Sequence, residues 1–174
     1  EFNLELRIPE WTNYFTIMVN DENYNSKINS NGYVEINRHW KPGESIELQL
    51  EIEPYLIVGN PRVESITGKV AIGNGPLIYC IEASDQSFET DLTDIMINPD
   101  TGFQVTWSED TLDGINIIMI DGKRLNDTDW ENSLYKKLTE KKSLSTKDIE
   151  IKAIPYFTWA NRVISPMKVW IPRS

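Results

Sequence analysis

Residues 46–53 read IELQLEIE, an unbroken alternation of isoleucine or leucine with glutamate or glutamine. Successive side chains of a β-strand point to opposite faces of the sheet, so a period of two predicts a strand with one face in a core and the other in water. Antiparallel sheets commonly have one packed and one solvated face. The stretch therefore predicts a half-buried strand of an antiparallel sheet.

The same alternation recurs on both sides of this stretch. It includes residues 2–8, 15–19 and 34–40 toward the N-terminus, and residues 105–107, 115–120, 149–153 and 167–171 toward the C-terminus. Turn-forming pairs such as Pro42-Gly43 and Asp121-Gly122 separate the strands. We therefore predict an all-β fold of one or two antiparallel β-sandwiches, of the jelly-roll or immunoglobulin-like kind.

One stretch has helical spacing instead. Trp130, Leu134, Leu138 and Lys141 recur at intervals of three or four residues, after a candidate cap at residues 127–128. The alternative for this stretch is an irregular excursion with a short strand at residues 133–135. We expect at most one short helix in the chain.

The strand pattern is interrupted at Pro54 and again at residues 58–61, which read VGNP. We place a domain boundary there, which divides the chain into residues 1–59 and residues 60–174. The alternation already begins at Phe2 without a lead-in. We therefore expect a fragment of a longer protein, with a truncated first domain.

The charge of the chain argues against two classes of partner. A formal net charge of −10 would repel the phosphates of nucleic acids and the headgroups of anionic membranes. No run approaches the ~20 apolar residues of a membrane span. We predict a soluble protein that binds neither nucleic acid nor membrane, and its compartment stays open.

The titratable residues form no recognisable catalytic or metal motif. His39 is the only histidine, and Cys80 is the only cysteine, in the apolar run LIYCI at residues 77–81, where an inert buried thiol is expected. A tetrahedral zinc site needs more His or Cys ligands. Many of the 27 acidic residues lie on the polar faces of predicted strands. We predict no catalytic residue and no metal site in this chain.

Aromatic residues are the candidates for binding. Trp159 follows Tyr156 closely, and Trp11 is near Tyr14. Such rings either stack on sugar rings or pack inside a sandwich, and both interpretations stay open. Arg162 has the geometry to bind a carboxylate through two parallel hydrogen bonds. Trp159, Arg162, Tyr156 and Trp11 are therefore candidate contacts to carbohydrate or to another domain.

Four segments resemble the C-terminal region of glycoside hydrolase family 127, which includes bacterial β-L-arabinofuranosidases. They are LELRIPEW at residues 4–11, GYVEINRHWKPGE at 32–44, GKVAIGNGPLIYCIE at 68–82, and IPYFTWANR at 154–162 with MKVW at 167–170. Their order is that of the family, and they span nearly the whole chain. The chain departs from the family pattern at Asn74, where arginine is usual, and at Val163, where glycine is usual.

The resemblance implies the latter part of a middle β-domain followed by a C-terminal β-domain. The catalytic module of the family is an N-terminal (α/α)6 barrel with a zinc-bound cysteine nucleophile and glutamates. Its cysteine cluster has no counterpart here, because Cys80 matches a sandwich strand. The resemblance therefore implies no cofactor in this chain, while the barrel of the family binds zinc.

These observations favour a non-catalytic accessory region of a glycoside hydrolase. This region would brace the catalytic barrel of the same parent chain or mediate dimerisation. A carbohydrate-binding module is the alternative, with a glycan as partner, and an independent hydrolase is a third possibility. We expect no enzyme activity from this chain alone and a parent glycosidase acting on arabinofuranosides. Bacterial cytoplasm, periplasm and secretion are all open as locations.

Overall fold

A computed structural model describes residues 1–87, 91–126, 134–135, 137 and 145–174 of the chain. The prediction of an antiparallel all-β fold is confirmed, because the described residues form β-strands joined by loops and by single turns of 3₁₀ helix. Trp130, Leu138 and Lys141 of the predicted helix, and its candidate cap, lie outside the described residues. The chain divides into two compact units, Glu1–Glu53 and Pro54–Ser174.

The first unit consists of two small antiparallel sheets that share one core. Strands β1 and β4 form one sheet, and β3, β2 and β5 form the other in that order. The five strands are β1 (Phe2–Arg7), β2 (Phe15–Val19), β3 (Glu22–Asn23), β4 (Tyr33–Arg38) and β5 (Ile46–Leu50). Their inward side chains meet in a cluster whose buried members are Ile8, Ile17, Val19, Val34 and Ile36. Two sheets around a shared core make this unit a small sandwich.

Strand β5 contains most of the alternating stretch. Ile46, Leu48 and Leu50 are half-buried and contact the core, while Glu47 and Gln49 are exposed. The opposite faces of the strand therefore lie in core and water as the period of two predicts.

The second unit is built on a curled antiparallel sheet. Its strands are β6 (Pro54–Val58), β7 (Lys69–Asn74), β8 (Leu77–Glu82), β9 (Ile95–Ile97), β10 (Phe103–Ser108), β11 (Ile115–Leu125), β12 (Thr146–Pro155), β13 (Met167–Lys168) and β14 (Ile171–Pro172). The main path is β10-β11-β12-β8-β7-β14, while β6 pairs with β7, β9 with β11 and β13 with β8. Its core is dominated by isoleucine: Ile72, Ile81, Ile95, Ile97, Ile118, Ile120 and Ile151 are at most 1% exposed.

The division between the units falls before Pro54, a few residues earlier than the boundary that the sequence placed after residue 59. Pro54 does not end a strand pattern but begins β6, which pairs with β7 of the second unit from Pro54↔Asn74 to Val58↔Val70. A proline is tolerated at the first residue of a strand, because its missing N–H can face away from the partner.

Two glycine-containing turn signals have different outcomes. Asn74 pairs with Leu77 across Gly75-Pro76, and Gly75 has a φ of 55°, so Gly75-Pro76 forms a tight hairpin turn. Asp121-Gly122, predicted as a turn, lies inside β11 instead. Gly122 faces Ile97 of β9 and Ile149 of β12, so both edges of the strand are paired at this point.

Candidate functional site

A loop of residues 156–166 connects β12 to β13 and contains three of the four candidate site residues. It begins with a 3₁₀ turn, Tyr156–Thr158, in which the buried Thr158 hydroxyl donates to the Pro155 carbonyl oxygen at 2.6 Å. Ala160 has a positive φ of 60°, an uncommon conformation for a residue with a side chain. The backbone of the loop is therefore held in a specific local shape.

Arg162 holds this loop to the end of β8 and the turn that follows it. Its Nη1 donates to Asp85 Oδ1 at 2.7 Å, and its Nη2 lies 2.5 Å from both Asp85 Oδ2 and Glu82 Oε2. Two parallel bonds to one carboxylate are the strong, directional form of this contact. The structure thus places the Arg162 guanidinium on carboxylates of its own unit.

Four charged side chains make up what we call the ion cluster: Glu82, Asp85, Lys152 and Arg162. The side chains of Glu82 and Asp85 are 1% and 5% exposed, and Lys152 Nζ lies 3.1 Å from Asp85 Oδ1. The Ala160 backbone N–H donates to Glu82 Oε1 at 3.0 Å. Two acids and two bases therefore balance in charge, as buried charges require.

Contacts within the ion cluster move the pKa values of Asp85 and Arg162 away from neutrality. Burial alone would raise the pKa of Asp85, but hydrogen bonds from Arg162 and Lys152 outweigh it and hold that pKa below its ordinary value. The hydrogen bonds to Asp85 raise the pKa of Arg162 despite its partial burial. Both groups are therefore ionised at neutral pH.

Further hydrogen bonds connect the turn after β8 to β12 and to the end of the loop. The Gln86 side-chain amide donates to the carbonyl oxygens of Glu82 and Lys152, at 2.9 and 3.0 Å. The Ala83 N–H donates to the Pro166 carbonyl at 3.0 Å, and the Ser84 N–H donates to Ser165 Oγ at 3.0 Å. The loop is thus attached to β8 and its following turn through several independent bonds.

The outer side of the loop has exposed apolar side chains, which we call the apolar loop surface: Tyr156, Phe157, Trp159, Val163 and Ile164. The rings of Tyr156 and Trp159 stack at a centroid distance of 6.3 Å, and Trp159 Nε1 donates to the Ser165 carbonyl at 3.3 Å. Ile164 is 94% exposed and Phe157 63%. Grouped exposed apolar residues of this kind mark interaction sites on folded proteins.

Trp11, the fourth candidate, belongs to the first unit. It is half-buried in the turn between β1 and β2. Tyr14, its predicted aromatic neighbour, is 67% exposed. The structure therefore brings Tyr156, Trp159 and Arg162 together in one loop and places Trp11 in a separate part of the chain.

Sequence reasoning missed Glu82, Asp85 and Lys152, the partners of Arg162. A usable signal existed at Glu82, because an acidic residue ends the apolar run LIYCIE, and a buried charge requires a partner. The partner itself is 80 residues away in the chain, so no local pattern identifies it.

Cys80 does not fit the zinc-bound cysteine that the family resemblance attributes to the catalytic barrel. The side chain is fully buried, and burial, reinforced by the negative charges of Glu82 and Asp85, raises the pKa of its thiol to about 12. A metal ligand must be a thiolate. Among the described residues, no three His, Cys, Asp or Glu side chains are grouped so that they could hold a metal ion. Nor does the described part of the chain contain a helix long and apolar enough to cross a membrane.

Two family models match the chain. Residues 1–52 match the model described as the middle domain of the family 127 β-L-arabinofuranosidases. Residues 54–172 match the model of the glycoside hydrolase family 127 C-terminal domain. The boundary between the matches coincides with the division between the two compact units.

Curated and solved relatives agree with these matches. A non-reducing end β-L-arabinofuranosidase of Bifidobacterium longum subsp. longum is 28% identical over 95% of the chain. A family 127 β-L-arabinofuranosidase from Geobacillus stearothermophilus T6, known from a crystal structure, has 28% sequence identity to the chain. The two structures match with a TM-score of 0.90 over 99% of the chain and 26% of that protein. A second solved β-arabinofuranosidase of the family is 32% identical, with a TM-score of 0.81 over 99% of the chain and 28% of that structure. The chain spans 25% of the curated relative's length.

Proposed function

Since the chain belongs to glycoside hydrolase family 127, as its four sequence segments predict, we propose that it is a non-catalytic accessory region of an arabinofuranoside-cleaving parent protein. Its role is to brace the catalytic barrel of the same parent chain, with the apolar loop surface as the contact. The observation that carries this proposal is an exposed apolar surface on a loop that a buried ion cluster holds in place.

The electrostatics of the ion cluster support a structural rather than a catalytic role. A general acid or base works best when its pKa lies near the working pH. Here the pKa of Asp85 is lowered, that of Arg162 is raised, and the Cys80 thiol is shifted to about 12. Ion pairing keeps Asp85 and Arg162 charged and burial keeps the Cys80 thiol neutral, so these groups are suited to holding a shape.

The form of the loop supports a docking role. Binding costs less when the contacting side chains are already ordered. Arg162 and the Ala160 N–H are both bonded to Glu82, close to Trp159 in the chain. The energetic centres of protein interfaces are enriched in Trp, Tyr and Arg. The apolar loop surface therefore offers a pre-ordered aromatic anchor.

The catalytic barrel is the occupant we propose for this surface, because the chain spans only a quarter of the length of a related arabinofuranosidase. Zinc and the catalytic groups belong to that barrel in this proposal. The competing occupant is a second copy of the chain, which would make the same surface a dimer contact.

The test compares the parent protein with the isolated chain. Phe157→Ser and Ile164→Ser should each lower the thermal midpoint of the parent by a few degrees and reduce its turnover of a chromogenic β-L-arabinofuranoside. In the isolated chain the same changes should alter stability by no more than ~0.5 kcal/mol, as is usual for exposed sites. Val63→Ser, at an apolar residue of the second unit that is 45% exposed, is the matched control.

The outcomes separate the candidate roles. Equal losses in the parent and in the isolated chain would mean that the loop serves internal packing, and no loss in the parent would refute docking. A dimer of the isolated chain in sedimentation equilibrium, broken by Ile164→Ser, would favour the second copy. Hydrolysis of the arabinofuranoside by the purified chain alone would overturn the non-catalytic assignment.

A further inference from the structure

A shallow cleft lies on the first unit, on the strand pair β2–β5. It has a volume of about 250 Å³ and is lined by Tyr14, Phe15, Thr16, Gln49, Leu50 and Glu51. Sites for drug-sized ligands usually have ~300–1,000 Å³, so this cleft suits a single small ring. All six lining residues lie within Glu1–Glu53, so the cleft belongs to one unit.

Tyr14 is the exposed aromatic side chain of the cleft, and hydrogen bonds hold its backbone. The side chain is 67% exposed. The Tyr14 carbonyl oxygen accepts from the Glu51 N–H at 3.0 Å. The Thr12 hydroxyl lies 2.8 Å from the carbonyl oxygens of both Tyr14 and Glu51, and can donate its one hydrogen to either. The aromatic ring is therefore presented to solvent from a fixed point at the end of the strand pair.

Hydrogen-bonding side chains stand beside this ring on the same face of the sheet. Thr16 is paired with Gln49 across the strands, and Thr16 Oγ1 donates to Gln49 Oε1 at 3.2 Å. Gln49 Nε2 donates to Glu47 Oε1 at 2.6 Å, which orients the amide. Among the described residues, none forms a hydrogen bond or an ion pair with the Glu51 carboxylate. The cleft thus combines an ordered polar strip with a carboxylate available as an acceptor.

From this arrangement we infer that the Tyr14 cleft binds one neutral sugar ring of an arabinose-containing glycan. The apolar C–H face of a sugar would stack on the Tyr14 ring, while its hydroxyls would donate to Glu51 and exchange hydrogen bonds with Thr16 and Gln49. The carboxylates of Glu47 and Glu51, together with the net charge of −10, disfavour acidic sugars. The ligand class is therefore a neutral glycan.

This inference shares with the proposed function only the membership of a glycosidase family. The proposed function rests on the apolar loop surface of the second unit, whereas the sugar site rests on the first unit. A carbohydrate contact here would hold substrate chains near the parent protein without taking part in bond cleavage.

The test is NMR or calorimetric titration of the chain with arabino-oligosaccharides, with oligogalacturonate as the acidic comparison. Contacts to one ring should give a dissociation constant of about 1 mM, which is ~4 kcal/mol of binding. Tyr14→Ala should weaken binding at least tenfold and Glu51→Gln severalfold. Trp159→Ala, on the apolar loop surface, should leave it unchanged.

Each result bears on the inference. Preferential binding of the neutral oligosaccharide, weakened by Tyr14→Ala in a chain whose thermal midpoint is unchanged, supports it. Absence of binding up to about 20 mM sugar, well above the expected constant, overturns it. Equal binding of oligogalacturonate, or binding that depends on Trp159 and not on Tyr14, also overturns it. None of these outcomes alters the docking test on Phe157 and Ile164.

Discussion

Removing the Arg162 side chain, as in Arg162→Ala, should be the most damaging single change in the loop. It leaves the Glu82 side chain, 1% exposed, without a cationic partner, while Asp85 keeps Lys152. Breaking a buried ion pair by deleting one member costs ~3–5 kcal/mol. Because the Arg162 side chain is 27% exposed and water reaches it, we take the lower end, about 3 kcal/mol of unfolding free energy.

The stability of the same variant should depend less on pH in the acid range than the stability of the wild type. The pKa of Asp85 is lowered in the folded protein, so its stabilising effect is present above the unfolded pKa and disappears as the pH falls through the folded pKa. Wild-type stability should therefore decrease in the acid range below the ordinary aspartate value of 3.8. Arg162→Ala should have a shallower decrease, because the hydrogen bonds that lower this pKa include those from Arg162.

Urea unfolding at pH 7 and over the range from about pH 5 down to about pH 2 measures both effects, and amide exchange locates them. The Ala160 N–H, which donates to Glu82, should exchange faster in the variant, while amides of β11 should not. Arg38→Ala is the matched control, since Arg38 also pairs with a glutamate, Glu44, but in a more exposed site of the first unit. A loss for Arg162→Ala no larger than that for Arg38→Ala, with unchanged Ala160 exchange, would refute the structural role of the ion cluster.

Two substitutions and one labelling experiment test the core of the second unit. Gly122→Ala should destabilise this unit, because the added Cβ would overlap the Met96 carbonyl oxygen and Ile151 Cδ1; urea unfolding measures the loss. Ile118→Ala, at a fully buried position, should cost ~2–5 kcal/mol of unfolding free energy by the same assay. Cys80 should resist alkylation by iodoacetamide at pH 8 in the folded chain and react in urea, because its buried thiol has a pKa of about 12, which mass spectrometry can follow.

Each of these three predictions can be contradicted by a specific result. Normal stability of Gly122→Ala would mean that β9 does not pass as close to β11 as described. A loss below ~1 kcal/mol for Ile118→Ala would mean that the site collapses around the missing atoms. Rapid alkylation of Cys80 in native buffer would show that β8 opens readily.

The fold could be predicted largely because strand alternation is a local signal. In β5, alternate residues face core and water, and five consecutive positions suffice to identify this. Asp121-Gly122 was misleading because its turn propensity is also local, whereas the pairing of β9 and β12 on both sides of Gly122 is not. Tertiary pairing overrides a turn signal when both edges of a strand are occupied.

The sequence predicts the loop residues of the candidate site but not their acidic partners. Trp159 and Arg162 stand out as an aromatic and a cation in one short motif. Their meaning depends on Glu82 and Asp85, which are brought to them by the pairing of β8 with β12 and β13. A single sequence contains no signal for which of 27 acidic residues meets a given arginine.

The ion cluster also explains why a loop with so exposed an apolar side can keep one shape. Apolar side chains in place of this ion cluster could pack against one another in many orientations. The planar guanidinium of Arg162, in contrast, meets the Asp85 carboxylate in one orientation. Replacing buried ion pairs with apolar residues often costs no stability, so the advantage of charge here is geometric. With Arg162 and the Ala160 N–H both directed at Glu82, the intervening backbone has little freedom, and the neighbouring Trp159 and Phe157 side chains are exposed to solvent. The buried charges therefore stabilise the presentation of the apolar loop surface more than they stabilise the fold.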